Sequence, residues 1–257
     1  MRAVTWVLDC DGVIWLGDEV IEGAPEAVSR IRSAGVSAVF LTNNSYARRR
    51  DHVDKLARMG IEARPEDVLT SAMAAARLLE AGELALVLGG PGVIEELEAA
   101  GVEVLRPGER SARAPGVVVV GFDPEFDFAS LSAATSALRA GARLVATNDD
   151  ATYPIRGGVL PGAGSLVSAV ATAGGAVPSV AGKPNEATVG LLREQVAEVS
   201  MVVGDRPSTD GVLAGRLGSR FGLVLTGVTP GDHGPLSPAP SVEADDILAL
   251  VKAELGG

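Results

Sequence analysis

The chain has 257 residues, 47% of them hydrophobic and only 4% aromatic, so its core should consist mainly of aliphatic side chains. A formal net charge of −11 repels nucleic acid and anionic lipid, so neither is an expected partner. Cys10 is the one cysteine, and His52 and His233, both expected at the surface, are the only histidines, which excludes disulfides and a Cys- or His-based metal site. With no signal-like start and no apolar run of ~18 residues, we expect a cytoplasmic protein without a membrane helix.

The first predicted element is a buried strand over residues 3–8, which ends at Asp9, Cys10 and Asp11. Because side chains alternate along a strand, both carboxylates should point the same way and Cys10 should point into the core. Two like charges this close are unfavourable unless a cation neutralises them or one carboxyl holds a proton. Taken alone, the pair is compatible with a polar turn or with a ligand site.

Strand-like and helix-like segments alternate along the rest of the chain. Apolar runs predict further strands at 36–41, 84–88, 117–120, 143–146, 201–203 and 221–225. Amphipathic stretches, most of them followed by glycine, predict helices at 25–34, 47–59, 71–80, 92–100, 128–140, 164–173, 186–196 and 244–255. This alternation is typical of α/β proteins with parallel sheets, and the segment 82–178 carries enough of it to fold as a separate unit.

Polar residues follow several of these strands, where open parallel sheets bind ligands. They are Asp9 and Asp11, the sequence Thr42-Asn43-Asn44, Lys183 before Pro184, and Asp205 with Asp210. These residue types fit the chemistry of phosphoryl transfer, in which one carboxylate attacks phosphorus and a second carboxyl group carries the proton. A hydroxyl and backbone amides can hold the phosphate oxygens, and aspartates are suitable ligands for Mg²⁺. Lys183 stands out because the chain has 19 arginines but only three lysines, which indicates a requirement for a compact positive charge.

Four motifs occur in the order Asp-x-Asp-Gly-Val, Thr-Asn-Asn, Gly-Lys-Pro and Gly-Asp-Arg-x-x-Thr-Asp. Together they resemble the motifs of the haloacid dehalogenase (HAD) superfamily of phosphatases. The insert of about 100 residues between the second and third motifs resembles the cap of the p-nitrophenyl phosphatase and NagD-like subgroup. The resemblance implies a doubly wound, Rossmann-like parallel-sheet core formed by 1–81 and 179–257, with a smaller α/β cap, 82–178, inserted into it.

The resemblance also implies a role for each motif. Asp9 would be the nucleophile and Asp11 the general acid/base, while Asp9, the Asp11 carbonyl and Asp205 would hold Mg²⁺, with Asp210 as a direct or outer ligand. Thr42, Asn43, Asn44 and Lys183 would bind phosphate, although Thr42 could equally cap the following helix. In the cap, the segment 146–154 resembles a substrate-specificity loop. Tyr153 would then contact the substrate or pack within the cap, and Arg156 is a further candidate.

The sequence therefore predicts an enzyme that hydrolyses a small phosphate monoester through an aspartyl-phosphate, with p-nitrophenyl phosphate as an artificial substrate. Candidate substrates are glycerol phosphate, phosphoglycolate, pyridoxal phosphate and sugar or nucleotide monophosphates. Two alternatives stay open at this point, a non-catalytic phospho-acceptor and a phosphotransferase that uses an alcohol in place of water. Members of the subgroup often look dimeric through the cap, so a homodimer is a further expectation.

Overall fold

The computed structural model describes residues 4–155 and 158–256, so Arg156 lies outside the described residues. In chain order the strands are β1 (Val4–Asp9), β2 (Trp15–Leu16), β3 (Glu19–Val20), β4 (Ser37–Thr42), β5 (Val68–Thr70), β6 (Leu84–Leu88), β7 (Glu103–Leu105), β8 (Val117–Val120), β9 (Arg143–Ala146), β10 (Thr152–Ile155), β11 (Gly158–Pro161), β12 (Ser179–Val180), β13 (Glu198–Gly204), β14 (Arg220–Val224) and β15 (Val242–Ala244). The helices are α1 (Ala24–Ser33), α2 (Arg49–Arg58), α3 (Ser71–Ala76), α4 (Pro91–Ala99), α5 (Phe128–Arg139), α6 (Ala163–Gly174), α7 (Glu186–Gln195), α8 (Val212–Leu217) and α9 (Ile247–Leu255).

A six-stranded parallel sheet forms the core, in the order β15-β14-β13-β1-β4-β5. Strand β1 lies in the middle, with β4 and β5 on one side and the strands that follow the inserted segment on the other. The chain therefore changes direction across the sheet next to β1. In open α/β sheets, ligands bind beyond the carboxyl ends of the strands at such a point.

A second, five-stranded parallel sheet has the order β12-β9-β8-β6-β7 and arises almost entirely from the inserted segment. This arrangement confirms the predicted α/β class with a doubly wound core and a smaller α/β unit. Strand β12 pairs with β9 in the second sheet, although the predicted limits assign residue 179 onwards to the core. The exact domain limits stay a prediction.

Three hydrophobic clusters hold these layers together. One lies between the core sheet and helices α1, α2 and α9, and another lies on the outer face of the second sheet under α5 and α6. The third contains residues of both sheets and of α3, α4 and α7, including Val7, Val87 and Leu97, so a single apolar layer joins the two sheets. The carboxyl ends of both sets of strands are thereby brought to one cavity.

The last predicted helix begins later in the structure than the sequence indicates. The last helix was expected over 244–255, but β15 occupies Val242–Ala244 and α9 begins at Ile247. Asp246 caps this helix, because its Oδ1 accepts a hydrogen bond of 2.8 Å from the Ala249 amide. Within residues 4–155 and 158–256, no helix is both long enough and apolar enough to cross a membrane.

Candidate active site

Three buried carboxylates meet at the carboxyl edge of the core sheet. Asp9 is the last residue of β1, Asp205 follows the neighbouring β13, and Asp210 lies in a single π-helical turn, Pro207–Gly211. One carboxylate oxygen from each residue lies within 4.8 Å of the other two. Because β1 and β13 are adjacent and parallel, their ends coincide, and this is why residues almost 200 positions apart in sequence converge.

Lys183 provides the positive charge within this cluster. Its Nζ lies 2.6 Å from Asp9 Oδ1 and 2.8 Å from Asp210 Oδ1, and the residue is only 4% exposed. Burial would lower the pKa of Lys183, but the Asp210 and Asp9 carboxylates outweigh burial and raise it above its ordinary value. The lysine is therefore a permanent cation at neutral pH.

One ammonium group does not neutralise three carboxylates. Burial raises the pKa of Asp9 well above its ordinary value despite the opposing effect of Lys183, and Asp210 and Asp205 raise it further. Burial, followed by the Asp210 charge, raises the pKa of Asp205 to about 6. Three buried carboxylates beside one ammonium group offer hard oxygen donors and an excess of negative charge, which fits a divalent cation such as Mg²⁺.

The backbone around the cluster leaves no room for side chains in place of its glycines. A Cβ on Gly227 would lie 1.9 Å from Asp205 Oδ2, and a Cβ on Gly204 would lie 2.1 Å from Asp210 Cγ. The Val228 amide donates a 2.6 Å hydrogen bond to Asp205 Oδ2 and fixes that carboxylate. The glycines thus let the backbone approach the carboxylates closely and hold them in place.

Asp11 lies outside the cluster of three carboxylates but lines the same cavity, which is described below. Its Oδ1 accepts a 3.0 Å hydrogen bond from Trp15 Nε1. Burial raises the pKa of Asp11, whereas Lys55 and the Trp15 hydrogen bond act in the opposite direction. Cys10, between the two aspartates, is buried in the hydrophobic cluster under α1 and α9, where the alternation of side chains predicts it.

The Thr42-Asn43-Asn44 segment follows β4 and lies at the same edge of the sheet. The buried Thr42 hydroxyl accepts a 3.0 Å hydrogen bond from the Asn44 amide. The Asn43 side chain accepts a bond from the Lys183 amide (3.0 Å) and donates to the Lys183 carbonyl (3.2 Å) and to Asp150 Oδ2 (2.8 Å). Its amide group therefore fixes the backbone of Lys183, a contact that the sequence pattern did not predict.

A cavity of about 360 Å³ separates these residues from the second sheet. Tyr153 lines it, and its ring packs edge-on against Phe122 at 5.4 Å between centroids, while Phe122 packs against Tyr46 at 6.0 Å. Further lining residues are Asn148, Asp150 and Thr152 from the predicted specificity loop, Arg206 and Thr209 from the fourth motif, and Lys55, for which the sequence predicted no role. Most of them follow strands of one sheet or the other.

Asp150 joins the two sheets across the cavity. It accepts the hydrogen bond from Asn43, and its Oδ1 lies 3.4 Å from Arg206 Nη1, which follows β13 in the core. The Asn148 side chain also donates to the Asn43 carbonyl at 2.8 Å. Asp150 and Asn148 both lie in the polar segment after β9, for which the sequence predicts a role in substrate specificity. The structure shows that this segment also connects the two sheets.

The expectation of two solvated histidines is wrong for His52. This residue is 3% exposed and stacks on the Trp15 ring with 6.4 Å between centroids. Its position one turn before the buried Leu56 in α2 places it on the apolar face of that helix. Burial, followed by the charge of Lys55, lowers the pKa of His52 to about 4, so it is neutral at physiological pH. His233 is only partly exposed, and its Nε2 lies 3.3 Å from Glu243.

Comparison with protein families identifies the relatives of this chain. Residues 6–103 match a model described as haloacid dehalogenase-like hydrolase, and residues 180–250 match a second HAD hydrolase-like model. Glycerol-3-phosphate phosphatase of Gallus gallus is 37% identical over 250 residues, covering 88% of this chain and 80% of the relative. The chain belongs to the haloacid dehalogenase-like hydrolases. Phosphoglycolate phosphatase 2 of Arabidopsis thaliana is 36% identical and covers 97% of this chain and 93% of its own length.

Solved structures of this family share the whole architecture. Glycerol phosphate phosphatase of Mycobacterium tuberculosis, determined in complex with magnesium, has a TM-score of 0.84 and 34% identity and covers 96% of this chain and 75% of the other. The p-nitrophenyl phosphatase of Archaeoglobus fulgidus has a TM-score of 0.85 and 28% identity, with 98% and 100% covered. These likenesses confirm the predicted p-nitrophenyl phosphatase-like subgroup. The chain is a HAD-type phosphatase, which disfavours the non-catalytic phospho-acceptor.

Proposed function

We propose that this phosphatase hydrolyses a small phosphate monoester by a Mg²⁺-dependent reaction through an aspartyl-phosphate on Asp9. The observation that carries the proposal is the contact of Lys183 Nζ with both Asp9 and Asp210 inside a buried carboxylate cluster. A lysine in this place shields the Asp9 carboxylate from the charge of an approaching phosphate. It also holds the attacking oxygen at the bottom of the cavity.

The reaction needs one nucleophile and one proton carrier. A carboxylate oxygen of Asp9 forms a bond to phosphorus while the bond to the ester oxygen breaks, and Asp11 gives its proton to that leaving oxygen. Asp11, now a carboxylate, takes a proton from a water molecule whose oxygen attacks phosphorus. Phosphate leaves, the Asp9 carboxylate is restored and Asp11 is protonated again, so the cycle is balanced.

The carboxylates of Asp9 and Asp205 and the Asp11 carbonyl would hold the magnesium ion, with Asp210 as a direct or outer ligand. When bound, the ion supplies charge neutralisation and orientation of the phosphoryl oxygens. The metal-bound structure of the Mycobacterium tuberculosis relative supports this assignment. The uncompensated charge of the three buried carboxylates supports it independently.

The phosphate would be held by Lys183 and by the segment after β4. The Thr42 hydroxyl lies where β4 ends, and the Asn43 backbone amide follows it at the edge of the sheet. The Asn44 amide already donates to the Thr42 hydroxyl, so Asn44 would contact phosphate through its side chain. Backbone amides at such a strand end can donate to phosphate oxygens. We assign to the Asn43 side chain the further role of holding the Lys183 backbone in place.

A substrate with a small organic group fits the cavity best. Its volume of about 360 Å³ is near the lower limit of typical ligand pockets. The aromatic rings of Tyr46, Phe122 and Tyr153 would cover the organic group, while Asp150 and Arg206 offer polar contacts. Glycerol phosphate and phosphoglycolate, named for the relatives, are the first candidates, before pyridoxal phosphate and sugar or nucleotide monophosphates.

The test is to screen phosphorylated metabolites with the wild type and with Asp9→Asn. The wild type should release phosphate in the presence of Mg²⁺, and acid-quenched protein should carry a phosphoryl group on Asp9 by mass spectrometry. Asp9→Asn should lose both properties, whereas Asp54→Asn, an exposed aspartate in α2, should retain them. Unchanged turnover by Asp9→Asn would eliminate Asp9 as the nucleophile. Transfer of phosphate to added alcohols in preference to water would favour a phosphotransferase.

The expected homodimer and the cytoplasmic location also remain proposals. Exposed apolar side chains in the segment 82–178 support an association through the cap, namely Phe128, Val159 and Val177. Light scattering measures the mass in solution. Replacement of these side chains by aspartate should then halve that mass, and a monomeric wild type would refute the proposal.

A further inference from the structure

A tight turn brings Trp15 back to Asp11. The Cys10 carbonyl accepts the Trp15 amide at 3.1 Å, and the Gly12 amide donates to the Trp15 carbonyl at 2.7 Å. Gly12 has φ of +86°, a conformation that strains other residues, so the turn depends on glycine. As a result the indole Nε1 lies 3.0 Å from Asp11 Oδ1. Within residues 4–155 and 158–256, this is the one hydrogen bond to the Asp11 side chain.

Two residues of helix α2 contact the Trp15 ring. His52 stacks on it with an interplanar angle of 9°, and Lys55 Nζ lies 4.4 Å from its ring centroid. Lys55 also donates a 2.6 Å hydrogen bond to the Gly17 carbonyl in the β2–β3 turn. Trp15 is 1% exposed, so its ring is fixed by packing, and Lys55 forms part of the cavity wall beside it.

We propose that Trp15 is a positioning residue that orients the Asp11 carboxyl for proton transfer, and that Lys55 keeps the indole in place. The proposal rests on the role of Asp11 in the proposed function. With Oδ1 bound to the indole, Oδ2 is the oxygen left to carry the proton given to the leaving group, and Asp11 is part of the cavity lining. A carboxyl group able to rotate would present this oxygen only part of the time. The indole therefore fixes which oxygen faces the ester.

The scarcity of lysine supports a specific role for Lys55. Only three lysines occur in the chain, and two of them, Lys55 and Lys183, line the same cavity. An ammonium group above an indole is attracted by the negative face of the ring. Such a contact restricts ring rotation without blocking the Nε1 donor, which lies at the ring edge.

The experiment measures kcat/KM of the wild type and of Trp15→Phe on two esters of similar size, benzyl phosphate and p-nitrophenyl phosphate. Benzyl phosphate has a strongly basic leaving alkoxide that needs a proton, whereas p-nitrophenyl phosphate leaves as a weak base. General acid catalysis contributes about 10²–10⁴-fold, so loss of its orientation should lower kcat/KM for benzyl phosphate by roughly tenfold or more. The same constant for p-nitrophenyl phosphate should fall by less than about threefold, because that step does not depend on the proton.

Trp6→Phe is the matched control, because Trp6 is buried in the same hydrophobic cluster but lies at the start of β1. It should leave the ratio of the two constants at the wild-type value. Equal losses on both esters by Trp15→Phe, or a ratio equal to that of Trp6→Phe, would overturn the proposal. If Trp15 only stabilised the fold, Trp15→Phe would lower kcat/KM equally for both esters, because a smaller fraction of folded protein slows both reactions alike.

Lys55→Met provides a second variant that keeps the length of the side chain and removes its charge. The ratio of kcat/KM for benzyl phosphate to kcat/KM for p-nitrophenyl phosphate should shift by about threefold, in the same direction as in Trp15→Phe. In Lys55→Arg this ratio should return most of the way to the wild-type value. Lys252→Met in α9, which is exposed, should have no effect. An unchanged ratio in Lys55→Met would overturn the role of Lys55. Absence of an Asp9 phosphoenzyme in the wild type would instead refute the proposed function, and this inference with it.

Discussion

Replacing Lys183 by methionine should separate the two effects of this residue, on folding and on catalysis. Methionine has a similar length but no charge, so Asp9, Asp205 and Asp210 would lose the one ammonium group that contacts two of them. Removal of one partner from a buried ion pair typically costs about 3–5 kcal/mol. For a chain of this size, 1 kcal/mol corresponds to roughly 2–4 °C, so the melting temperature should fall by roughly 6–20 °C.

The measurement is thermal unfolding of the wild type and Lys183→Met in EDTA and in millimolar Mg²⁺. The difference in melting temperature between the wild type and Lys183→Met should be largest in EDTA at pH 8, where the carboxylates are charged and no divalent cation is bound. It should shrink at pH 5, because the raised pKa values of Asp9 and Asp205 allow protonation to relieve the repulsion. Mg²⁺ should also reduce it, since a divalent ion bound only by the native state stabilises that state.

Lys252→Met is the control for loss of a positive charge, because this lysine is exposed in the last turn of α9. It should change stability by less than about 0.5 kcal/mol under every condition. A melting temperature of Lys183→Met within about 2 °C of the wild type in EDTA at pH 8 would refute the electrostatic argument. Phosphatase activity of Lys183→Met is expected to be undetectable even where the protein is folded.

Three further predictions concern the surroundings of this lysine. The pKa of Asp205 is about 6 in the folded protein and lower in the unfolded chain, so in EDTA the free energy of unfolding should rise by about 1 kcal/mol from pH 7.5 to pH 5. Urea unfolding at several pH values measures this change, and a lower free energy of unfolding at pH 5 would contradict it. Asn43→Ala removes three hydrogen bonds and should lower the free energy of unfolding by about 2–4 kcal/mol, whereas an effect below 0.5 kcal/mol in urea titrations would exclude the role assigned to its side chain. Tyr153→Ala should change the ranking of substrates in a metabolite screen more than it changes hydrolysis of p-nitrophenyl phosphate, and equal losses on all esters would argue against selectivity.

The polar residues of the core could be predicted from sequence because of one geometric rule. Parallel strands end at a common edge, so a polar residue directly after an apolar run is placed at that edge whatever its position in the chain. Asp9, Thr42 and Asp205 all follow this rule, and the structure brings them together. The scarcity of lysine pointed in addition to Lys183, and the same criterion applied to Lys55 would have found a second residue of the cavity.

The cavity wall contributed by the second sheet could not be predicted in the same way. Phe122 and Asp150 also follow strands, but their distance from Asp9 depends on how one sheet packs on the other. That packing is set by the apolar cluster shared by α3, α4 and α7, whose residues look like ordinary core in the sequence. His52 is buried for a different reason, because its spacing of four residues from Leu56 places it on the apolar face of α2, whereas a lone histidine is more often at least partly exposed.

The charge distribution explains how a chain of net charge −11 can bind an anionic ester. The field of the whole protein repels phosphate, and within the buried cluster the carboxylates of Asp9, Asp205 and Asp210 outnumber the ammonium of Lys183 that contacts them. This excess of carboxylates over ammonium groups in the cluster disfavours the approach of a dianionic ester. A divalent ion bound by these carboxylates would offset that excess, so we expect metal binding to strengthen substrate binding. Burial of the cluster strengthens this effect, because the charges are poorly screened by solvent.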